Sequence, residues 1–138
     1  MKVKPNITKK ERDCLLAIYR EELSDTPVRL VDLARSLNVK PPTALELLAR
    51  LESKGYVTRR RGLIFLSESG REVAKGILTV HRALEVFFAR CGLSADEACN
   101  LVSNFDYMVE SSIAPMMLGA LGNPSTCPHG YPIKTEGV

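Results

Sequence analysis

The chain has 138 residues, of which 45% are hydrophobic and 25% are charged, and its formal net charge is +3. These proportions are typical of a folded globular protein. No stretch is apolar over the length that crosses a bilayer, and the N-terminal residues lack the apolar core of a signal peptide. The sequence therefore predicts a cytoplasmic protein without a membrane partner.

Positive charge is concentrated in the first half of the chain. Lys and Arg are frequent up to Gly62 and include the run Arg59-Arg60-Arg61, whereas the segment from Ser94 to Gly122 contains neither residue type. The net charge alone does not identify a nucleic-acid-binding protein. Its asymmetry, however, indicates that the first half contacts phosphates.

Three helices are predicted in the first half. Thr8 and Glu11 have the spacing of a capping box, which begins a helix that continues to about Glu22. Two helical patterns follow, over residues 28–37 and 41–55, with a tight turn between them. The buried stripe of the second pattern is predicted to consist of Leu45, Leu48 and Leu51. Two helices of this size joined by a tight turn indicate a helix-turn-helix.

A hairpin and a second helical region are predicted next. Residues 56–66 contain two β-prone runs around a turn of arginines and Gly62, which indicates a wing with a cationic tip. Ser67 is the predicted cap of a long helix over 68–90, and two further helices are expected over 95–103 and 106–121. The predicted fold class is therefore mainly α with a small β-hairpin wing: a winged helix-turn-helix followed by an all-helical dimerisation domain.

The second helix of a helix-turn-helix enters the major groove with its first residues at base edges. Thr43 and its proline neighbour offer apolar surface to a thymine methyl, and Glu46 can accept from a cytosine amine. The flanking cations suit phosphates, and the wing suits the adjacent backbone or minor groove. A plain bundle with a solvated turn is the competing interpretation. The predicted DNA-binding residues are Lys40, Pro42, Thr43, Glu46, Arg50, Arg59, Arg60 and Arg61.

The four cysteines are expected to be free thiols, some of them metal ligands, because a cytoplasmic chain with a proper core rarely needs disulfides. The sequence contains no C-x-x-C pair, which disfavours a zinc ribbon.

Seven segments carry recognisable motifs. They are VDLA at 31–34, VKPPT at 39–43, RLESKGYV at 50–57, LSESGR at 66–71, HRALE at 81–85, DEAC at 96–99 and GNPSTCPHGYPI at 122–133. Together they resemble the diphtheria-toxin-repressor family, which includes iron-dependent repressors and manganese transport regulators. The resemblance covers nearly the whole chain.

The resemblance implies a homodimeric transcriptional regulator, a repressor rather than an enzyme, with no small-molecule substrate. Family members bind a divalent transition metal and then a palindromic operator in double-stranded DNA. The expected domains are a winged helix-turn-helix over 1–67 and a helical metal-binding and dimerisation domain over 68–138. The sequence stops where longer members add an SH3-like domain, so the resemblance implies the short form.

The resemblance also implies a set of metal ligands. Asp13 falls at the ligand position of the first helix, and Cys99 at that of the helix after the linking helix. His81 and Glu85 match the ligands of the linking helix, where their spacing places them on one helical face. These donor types suit Fe(II) as the first choice, with Mn(II), Zn(II), Co(II) or Ni(II) as alternatives, and the thiolate disfavours manganese.

The sequence departs from the family pattern after Cys99. The family usually continues with Glu and His, but Val102 and Ser103 occupy those places, and Leu16 replaces a second carboxylate of the manganese regulators. Three other residues can supply the missing donors. The complete predicted ligand set is Asp13, His81, Glu85, Cys99, Asp106, Cys127 and His129.

Other interpretations stay open. One is a DNA-binding regulator that senses redox state or an iron–sulfur cluster through Cys99 and Cys127, or that has a degenerate, metal-independent site. Another is a dimerisation module alone, which leaves the basic wing unexplained. A hydrolase using Cys127 and His129 is disfavoured because the sequence shows no group to orient the histidine. Individually, the cysteines can be buried apolar residues, Asp13 a surface residue, and His81 a partner of Glu85 only.

Overall fold

The computed structural model describes residues 5–133, which divide into two compact units. The first unit is Ile7–Ala74. The second contains Pro5, Asn6 and the described residues from Lys75 onward. The domain boundary expected at 67/68 coincides with the start of the long helix, whereas the division between the units falls inside that helix. Both ends of the expected domains, 1–4 and 134–138, lie outside the described residues.

The first unit contains three helices, α1 (Lys9–Leu23), α2 (Leu30–Leu37) and α3 (Pro41–Ser53). The capping box of α1 is confirmed, because the Glu11 amide donates to Thr8 Oγ1 at 3.1 Å and the Thr8 amide donates to Glu11 Oε1 at 2.8 Å. Asn38 ends α2 in the left-handed conformation, with φ of 55°, so the chain turns sharply into α3. The helix-turn-helix is therefore confirmed.

Two details of the predicted helices are wrong. Val28 and Arg29 form a strand, β1 (Val28–Arg29), because they pair with Ile64 and Leu63. Leu45 is 43% exposed. Leu48 and Leu51 of the predicted stripe are buried as expected, and Ala44 and Leu47, rather than Leu45, complete the face of α3 that packs into the core.

The wing is the hairpin of β2 (Val57–Arg60) and β3 (Leu63–Leu66), and the antiparallel sheet has the order β1-β3-β2. Arg61 and Gly62 connect the strands with φ of 52° and 79°. Two consecutive positive φ values define the two-residue turn whose twist matches a β-hairpin. The turn places the run of arginines at the exposed tip.

The second unit is helical, with most of α4 (Glu68–Arg90), α5 (Ala95–Val102) and α6 (Ala114–Ala120). Ser67 caps α4 as predicted, since its Oγ accepts from the Gly70 amide at 3.0 Å. None of the helices in the described part of the chain has the length and apolar composition to cross a membrane.

The prediction of a single helix over 106–121 is wrong. The segment forms two short 3-10 turns, Asp106–Met108 and Ser111–Ile113, before α6 begins. Val109 and Glu110 between them have extended backbones. Pro115 cannot donate the amide hydrogen bond that a continuous helix would require at that position, so regular helix begins only around it.

Candidate metal centre and nucleic-acid interface

Helix α4 brings two ionisable side chains into the interior of the second unit. His81 and Glu85 are 5% and 2% exposed, and their i,i+4 spacing puts both on one face of the helix. His81 Nε2 lies 3.1 Å from Glu85 Oε1. Because buried charge is costly without partners, the helix carries a pair that requires further polar groups around it.

Cys99 on α5 joins this pair. Its Sγ lies 3.4 Å from His81 Nε2, and the ligand atoms of His81, Glu85 and Cys99 all lie within 4.8 Å of one another. A second capping box, formed by Ser94 and Glu97, fixes the start of α5. These three residues are called the Cys99 trio below.

Val102 and Ser103, which stand where the family has ligands, have other roles. Val102 is fully buried in the core. The Ser103 hydroxyl donates to the Cys99 carbonyl oxygen at 2.8 Å. Neither side chain therefore supplies a donor in place of the missing carboxylate and imidazole.

The C-terminal segment forms a tight turn that presents Cys127 and His129. The Gly130 amide donates to the Cys127 carbonyl at 2.8 Å, and the Cys127 amide donates to the Tyr131 carbonyl at 2.9 Å. Pro128 at the second position favours such a turn, and Gly130 follows with φ of 89°. The motif Cys-Pro-His-Gly thus projects the thiol and the imidazole from one short loop.

This loop is attached to the helices by several contacts. Ile133 is fully buried and packs with Cys127, Ala83 and Leu118. The guanidinium of Arg82, the second residue of the HRALE motif, donates to the Pro132 carbonyl at 2.7 Å. The loop is therefore fixed to α4, close to its metal-ligand candidates.

A second set of donors meets on the other oxygen of Glu85. His129 Nδ1 lies 3.2 Å from Glu85 Oε2, and the ligand atoms of Glu85, Cys127 and His129 lie within 4.8 Å of one another. These residues form the Cys127 trio. On the far side of the ring, His129 Nε2 lies 2.8 Å from Asp96 Oδ1, and this contact raises the pKa of His129, with a smaller contribution from Glu85.

Asp106 occupies a different place from the other predicted ligands. It is fully buried and accepts from His81 Nδ1 at 2.8 Å, on the ring edge opposite Glu85 and Cys99. Burial by itself would lower the pKa of His81, but the hydrogen bonds with Asp106 and Glu85 outweigh it and raise the pKa to about 9. Asp106 thus orients the ring so that Nε2 faces Glu85 and Cys99.

The donor atoms have the spacing of metal ligands. Two ligands of a tetrahedral ion with bonds of about 2.1–2.3 Å lie roughly 3.4–3.8 Å apart. The two contacts of Glu85 with the histidines, at 3.1 and 3.2 Å, and the 3.4 Å contact between Cys99 and His81 are close to that separation. Imidazole, thiolate and carboxylate are the donors that bind divalent transition metals. The residues present therefore fit such an ion.

Asp13, the remaining predicted ligand, lies in the first unit. Its carboxylate contacts Lys9 Nζ at 2.7 Å and Arg12 Nη1 at 2.8 Å. The neighbouring Cys14 is fully buried, and burial raises the pKa of its thiol to about 12. Cys14 is consequently an inert core residue. All four cysteines are free, and Cys91 is exposed.

The predicted DNA-binding residues form an exposed surface on the first unit. All eight side chains are exposed, on α3, its N-cap residue and the wing. Arg50 Nη2 pairs with Glu46 Oε1 at 2.8 Å along α3, and Arg59 Nη2 pairs with Glu52 Oε1 at 2.7 Å. The second pair connects the wing to α3, so the two parts of this surface are held together.

Sequence reasoning missed Asp96, Arg82 and Leu45. Asp96 belongs to the DEAC motif and Arg82 to the HRALE motif, but nothing in their spacing indicates contacts with the distant C-terminal loop. Leu45 was predicted to lie in the core, and its exposure adds an apolar side chain to the solvent-exposed surface of α3. Its position beside Glu46, on the outer face, is the signal that could have found it.

Comparisons with known families cover both units. Residues 6–62 match the iron dependent repressor N-terminal DNA binding domain, and residues 67–135 match the iron dependent repressor metal binding and dimerisation domain. A relative in Aeropyrum pernix, described as an uncharacterized HTH-type transcriptional regulator, is 31% identical over 124 residues, which cover 86% of this chain and 68% of the relative.

Solved structures show the same architecture. A hypothetical protein from Sulfolobus solfataricus is 28% identical with a TM-score of 0.76, and the match covers 92% of this chain and 98% of that one. IdeR of T. acidophilum is 27% identical with a TM-score of 0.71, covering 94% of this chain and 60% of that one. A manganese-dependent transcriptional repressor in complex with manganese is 30% identical with a TM-score of 0.77, covering 89% and 57%. The chain thus spans about 60% of the length of the latter two. It belongs to the iron dependent repressor family of metal-dependent, DNA-binding transcriptional regulators.

Proposed function

We propose that the chain is an Fe(II)-dependent repressor that binds a palindromic operator as a homodimer, with the metal held around Glu85. The single observation that carries this proposal is the convergence of two imidazoles and two thiols on the two oxygens of one buried carboxylate. These donors lie in the region that matches the family's metal-binding and dimerisation domain. They compensate for the ligands missing at Val102 and Ser103.

The donor set favours Fe(II) over Mn(II). Thiolates are soft ligands, whereas manganese prefers carboxylate, carbonyl and water oxygens, and each trio contains one cysteine. Zn(II), Co(II) and Ni(II) share the affinity for nitrogen and sulfur, so their responses belong in the same experiment. The family's iron-dependent members support the choice of iron.

The proposed role of α3 and the wing is to contact operator DNA. Thr43 and Leu45 are exposed and suit apolar contacts with thymine methyls, while the cations at the tip of the wing suit phosphates. Glu46 and Arg50 pair with each other in the free protein. If Glu46 contacts a base, its ion pair with Arg50 would break, and Arg50 could then contact the DNA backbone.

The proposed homodimer is supported by apolar residues on the surface of the second unit. Phe87, Leu101, Met108 and Met116 are all at least 40% exposed. The segment from Ser94 to Gly122, which holds three of them, has no Lys or Arg. Exposed apolar side chains are typical of surfaces that self-associate.

When bound, the ion supplies positive charge that neutralises thiolate and carboxylate ligands. His81 and His129 must each present a neutral nitrogen, and Cys99 and Cys127 must lose their protons. These residues belong to α4, α5 and the C-terminal loop, which are thereby fastened to one another. We infer that this ordering shifts the dimer towards the arrangement that matches two operator half-sites.

The test is a gel-shift titration of operator DNA with metal-free protein and added Fe(II), Mn(II), Zn(II) or chelator, under anaerobic conditions. The operator is first selected from random duplexes. We expect Fe(II) to tighten binding at least tenfold, and Glu85→Gln to abolish this response while leaving basal binding unchanged. Equal affinity with every metal and with chelator would refute metal dependence. An absorbance band in freshly purified anaerobic protein that disappears in Cys99→Ser, without added metal, would instead support an iron–sulfur sensor.

A further inference from the structure

We propose that Arg29, which lies on β1 outside the arginine run, is a phosphate-binding residue of the wing and acts as a pair with Arg60. The two guanidiniums contact phosphates on opposite walls of the operator's minor groove, with Arg61 between them at the tip. This proposal rests on the proposed role of the wing in binding DNA. It adds a residue to the wing and assigns the groove that the wing grips.

The register of the sheet places Arg29 and Arg60 on one face. Arg29 pairs with Leu63 of β3, and Leu63 pairs on its other side with Arg60 of β2. Directly paired residues of neighbouring strands project from the same face, and residues along a strand alternate between the faces. The opposite face is the buried one, since Val28 and Ile64 are each 3% exposed. Arg29 and Arg60 therefore project on the solvent side, one on each side of Leu63.

The side chain of Arg29 extends towards the wing turn. Its Nη1 lies 3.8 Å from the position of a Cβ added at Gly62, the second residue of the turn between β2 and β3. Arg60 is the last residue of β2, and Arg61 follows it in the turn. Cations from two different strands thus meet at the tip, although Arg29 is distant from the other two in the sequence.

Neither Arg29 nor Arg60 has an intramolecular role that competes with DNA. Both residues are exposed, and neither forms an ion pair or a side-chain hydrogen bond with the described part of the chain. Arg29 is the N-cap residue of α2, but its side chain makes no capping hydrogen bond. Arg59, by contrast, pairs with Glu52 at 2.7 Å. Binding a phosphate therefore breaks no ion pair of Arg29 or Arg60.

The separation of the two arginines suits the width of the minor groove. Strands β1 and β2 lie on either side of β3. Because neighbouring strands are about 4.8 Å apart, the backbones at Arg29 and Arg60 are roughly 10 Å apart. The minor groove of B-DNA is about 6 Å wide between its phosphate-lined walls. Two long side chains that begin on either side of the turn can therefore reach one wall each, which would centre Arg61 over the groove.

The test measures the operator affinity of the full-length protein by fluorescence anisotropy at several salt concentrations, under the metal condition in which wild type binds most tightly. Each phosphate contact contributes about 0.9 to the slope of log affinity against log salt concentration. Arg29→Ala should lose this contribution, so its loss of affinity should be about 3.5-fold larger at roughly 50 mM than at roughly 200 mM salt. Arg29→Gln should behave in the same way, whereas Arg29→Lys keeps the charge and should keep the slope. Arg20→Ala, which removes an exposed guanidinium from α1, is the matched control and should also keep the slope.

Neutral phosphates locate the two contacts. Operator duplexes carry a methylphosphonate, which removes one phosphate charge, at successive positions along each wall of the minor groove. The effects of Arg29→Ala and of the methylphosphonate should be non-additive at a phosphate of one strand, and those of Arg60→Ala at a phosphate of the other strand. Non-additivity of both variants on the same strand would overturn the assignment to opposite walls.

The outcomes separate this proposal from the proposed function. A wild-type slope in Arg29→Ala, together with a reduced slope in Arg60→Ala, would retain the DNA-binding wing and overturn the role of Arg29. Wild-type slopes in both variants would reject the contact of the wing with phosphates, and the pair with it. A slope in Arg29→Lys as low as that in Arg29→Ala would contradict a role that depends on charge. Thermal unfolding verifies that each variant is folded.

Discussion

His81 Nδ1 donates a hydrogen bond of 2.8 Å to Asp106 Oδ2, and both side chains are buried. The bond joins α4 to the 3-10 turn that begins at Asp106. It also determines which nitrogen of His81 faces Glu85 and Cys99. The orientation of the imidazole is thus fixed before any metal arrives, which reduces the cost of assembling the site.

Asp106→Asn should weaken metal binding without unfolding the protein. Loss of the outer carboxylate reduces the basicity and orientation of the ligand, which typically costs about 10- to 100-fold in metal affinity. The affinity is measured by competition with a chelator, and the pKa of His81 in metal-free protein, measured by NMR, should fall. Asp32→Asn, which removes an exposed partner of Arg35 in the first unit, is the control. An unchanged affinity and pKa in Asp106→Asn would contradict the orienting role.

The stability of the metal-free protein should decrease as pH rises. The folded pKa of His81, about 9, lies above its unfolded value of about 6.5, so the protonated ring stabilises the fold. That stabilisation is complete below pH 6.5 and is lost as pH rises through 9. Urea unfolding in chelator should show a decrease of up to roughly 3 kcal/mol across this range, which His81→Gln should reduce. Metal affinity should rise over the same range, because the ion displaces the proton.

Gly70→Ala should destabilise the first unit. A Cβ at Gly70 would lie 2.9 Å from the carbonyl carbon of Tyr56 and closer still to its oxygen, and the backbone cannot move aside without disturbing the wing. Overpacking of this kind costs about 1–3 kcal/mol, measured by chemical denaturation. Gly119→Ala is the matched helical control, since its added Cβ would meet no atom within 4 Å apart from the adjoining residues and backbone of its own helix. Equal stabilities of the two variants would disprove the clash.

Arg60→Ala should weaken DNA binding and reduce its dependence on salt. Arg60 is exposed at the end of β2, and each phosphate contact contributes about 0.9 to the slope of log affinity against log salt concentration. Fluorescence anisotropy at several salt concentrations measures both quantities. Lys10→Ala on α1 removes one positive charge, as Arg60→Ala does, but lies outside α3 and the wing. The salt slope of Lys10→Ala should therefore match that of wild type. A slope in Arg60→Ala equal to that of wild type would exclude phosphate contact by this residue.

Phe87→Glu should dissociate the proposed homodimer. Phe87 is 47% exposed and packs edge-on against Phe88, with ring centroids 5.1 Å apart. A buried charge in a self-associating surface would weaken the dimer roughly 30-fold or more, measured by sedimentation equilibrium. Leu23→Glu introduces the same charge at a residue of the first unit that is 62% exposed, and it should leave the dimer intact. If both variants sediment as wild type, Phe87 lies outside the interface.

Local signals predicted most of the fold. The capping box of Thr8 and Glu11, the wing turn of arginines and Gly62, and the cap at Ser67 depend on residues within a few positions of one another, so the sequence contains that information. The prediction of one helix over 106–121 was wrong because the apolar spacing runs through Pro115. The proline cannot donate the backbone hydrogen bond that a continuous helix requires at that position. The prediction that Leu45 is buried was wrong because the leucines of α3 allow two possible buried faces. Contacts with α1 and α2 decide between those faces.

The candidate site was only partly predictable. The spacing of His81 and Glu85 specifies one helical face, but the encounter of Glu85 with His129 spans 44 positions in the chain. The role of Asp106 depends on a turn that replaced the expected helix. Which ring nitrogen each carboxylate contacts is a property of tertiary packing, and no sequence pattern encodes it.

The C-terminal turn makes the state of the site measurable without DNA. The amides of Cys127, Gly130 and Ile133 donate to carbonyls within the loop, and these hydrogen bonds protect them only while the loop is closed. Ligation of Cys127 and His129 would oppose its opening. Deuterium exchange at these three amides would therefore slow as metal is added, so the exchange rate of this loop would measure occupation of the metal site.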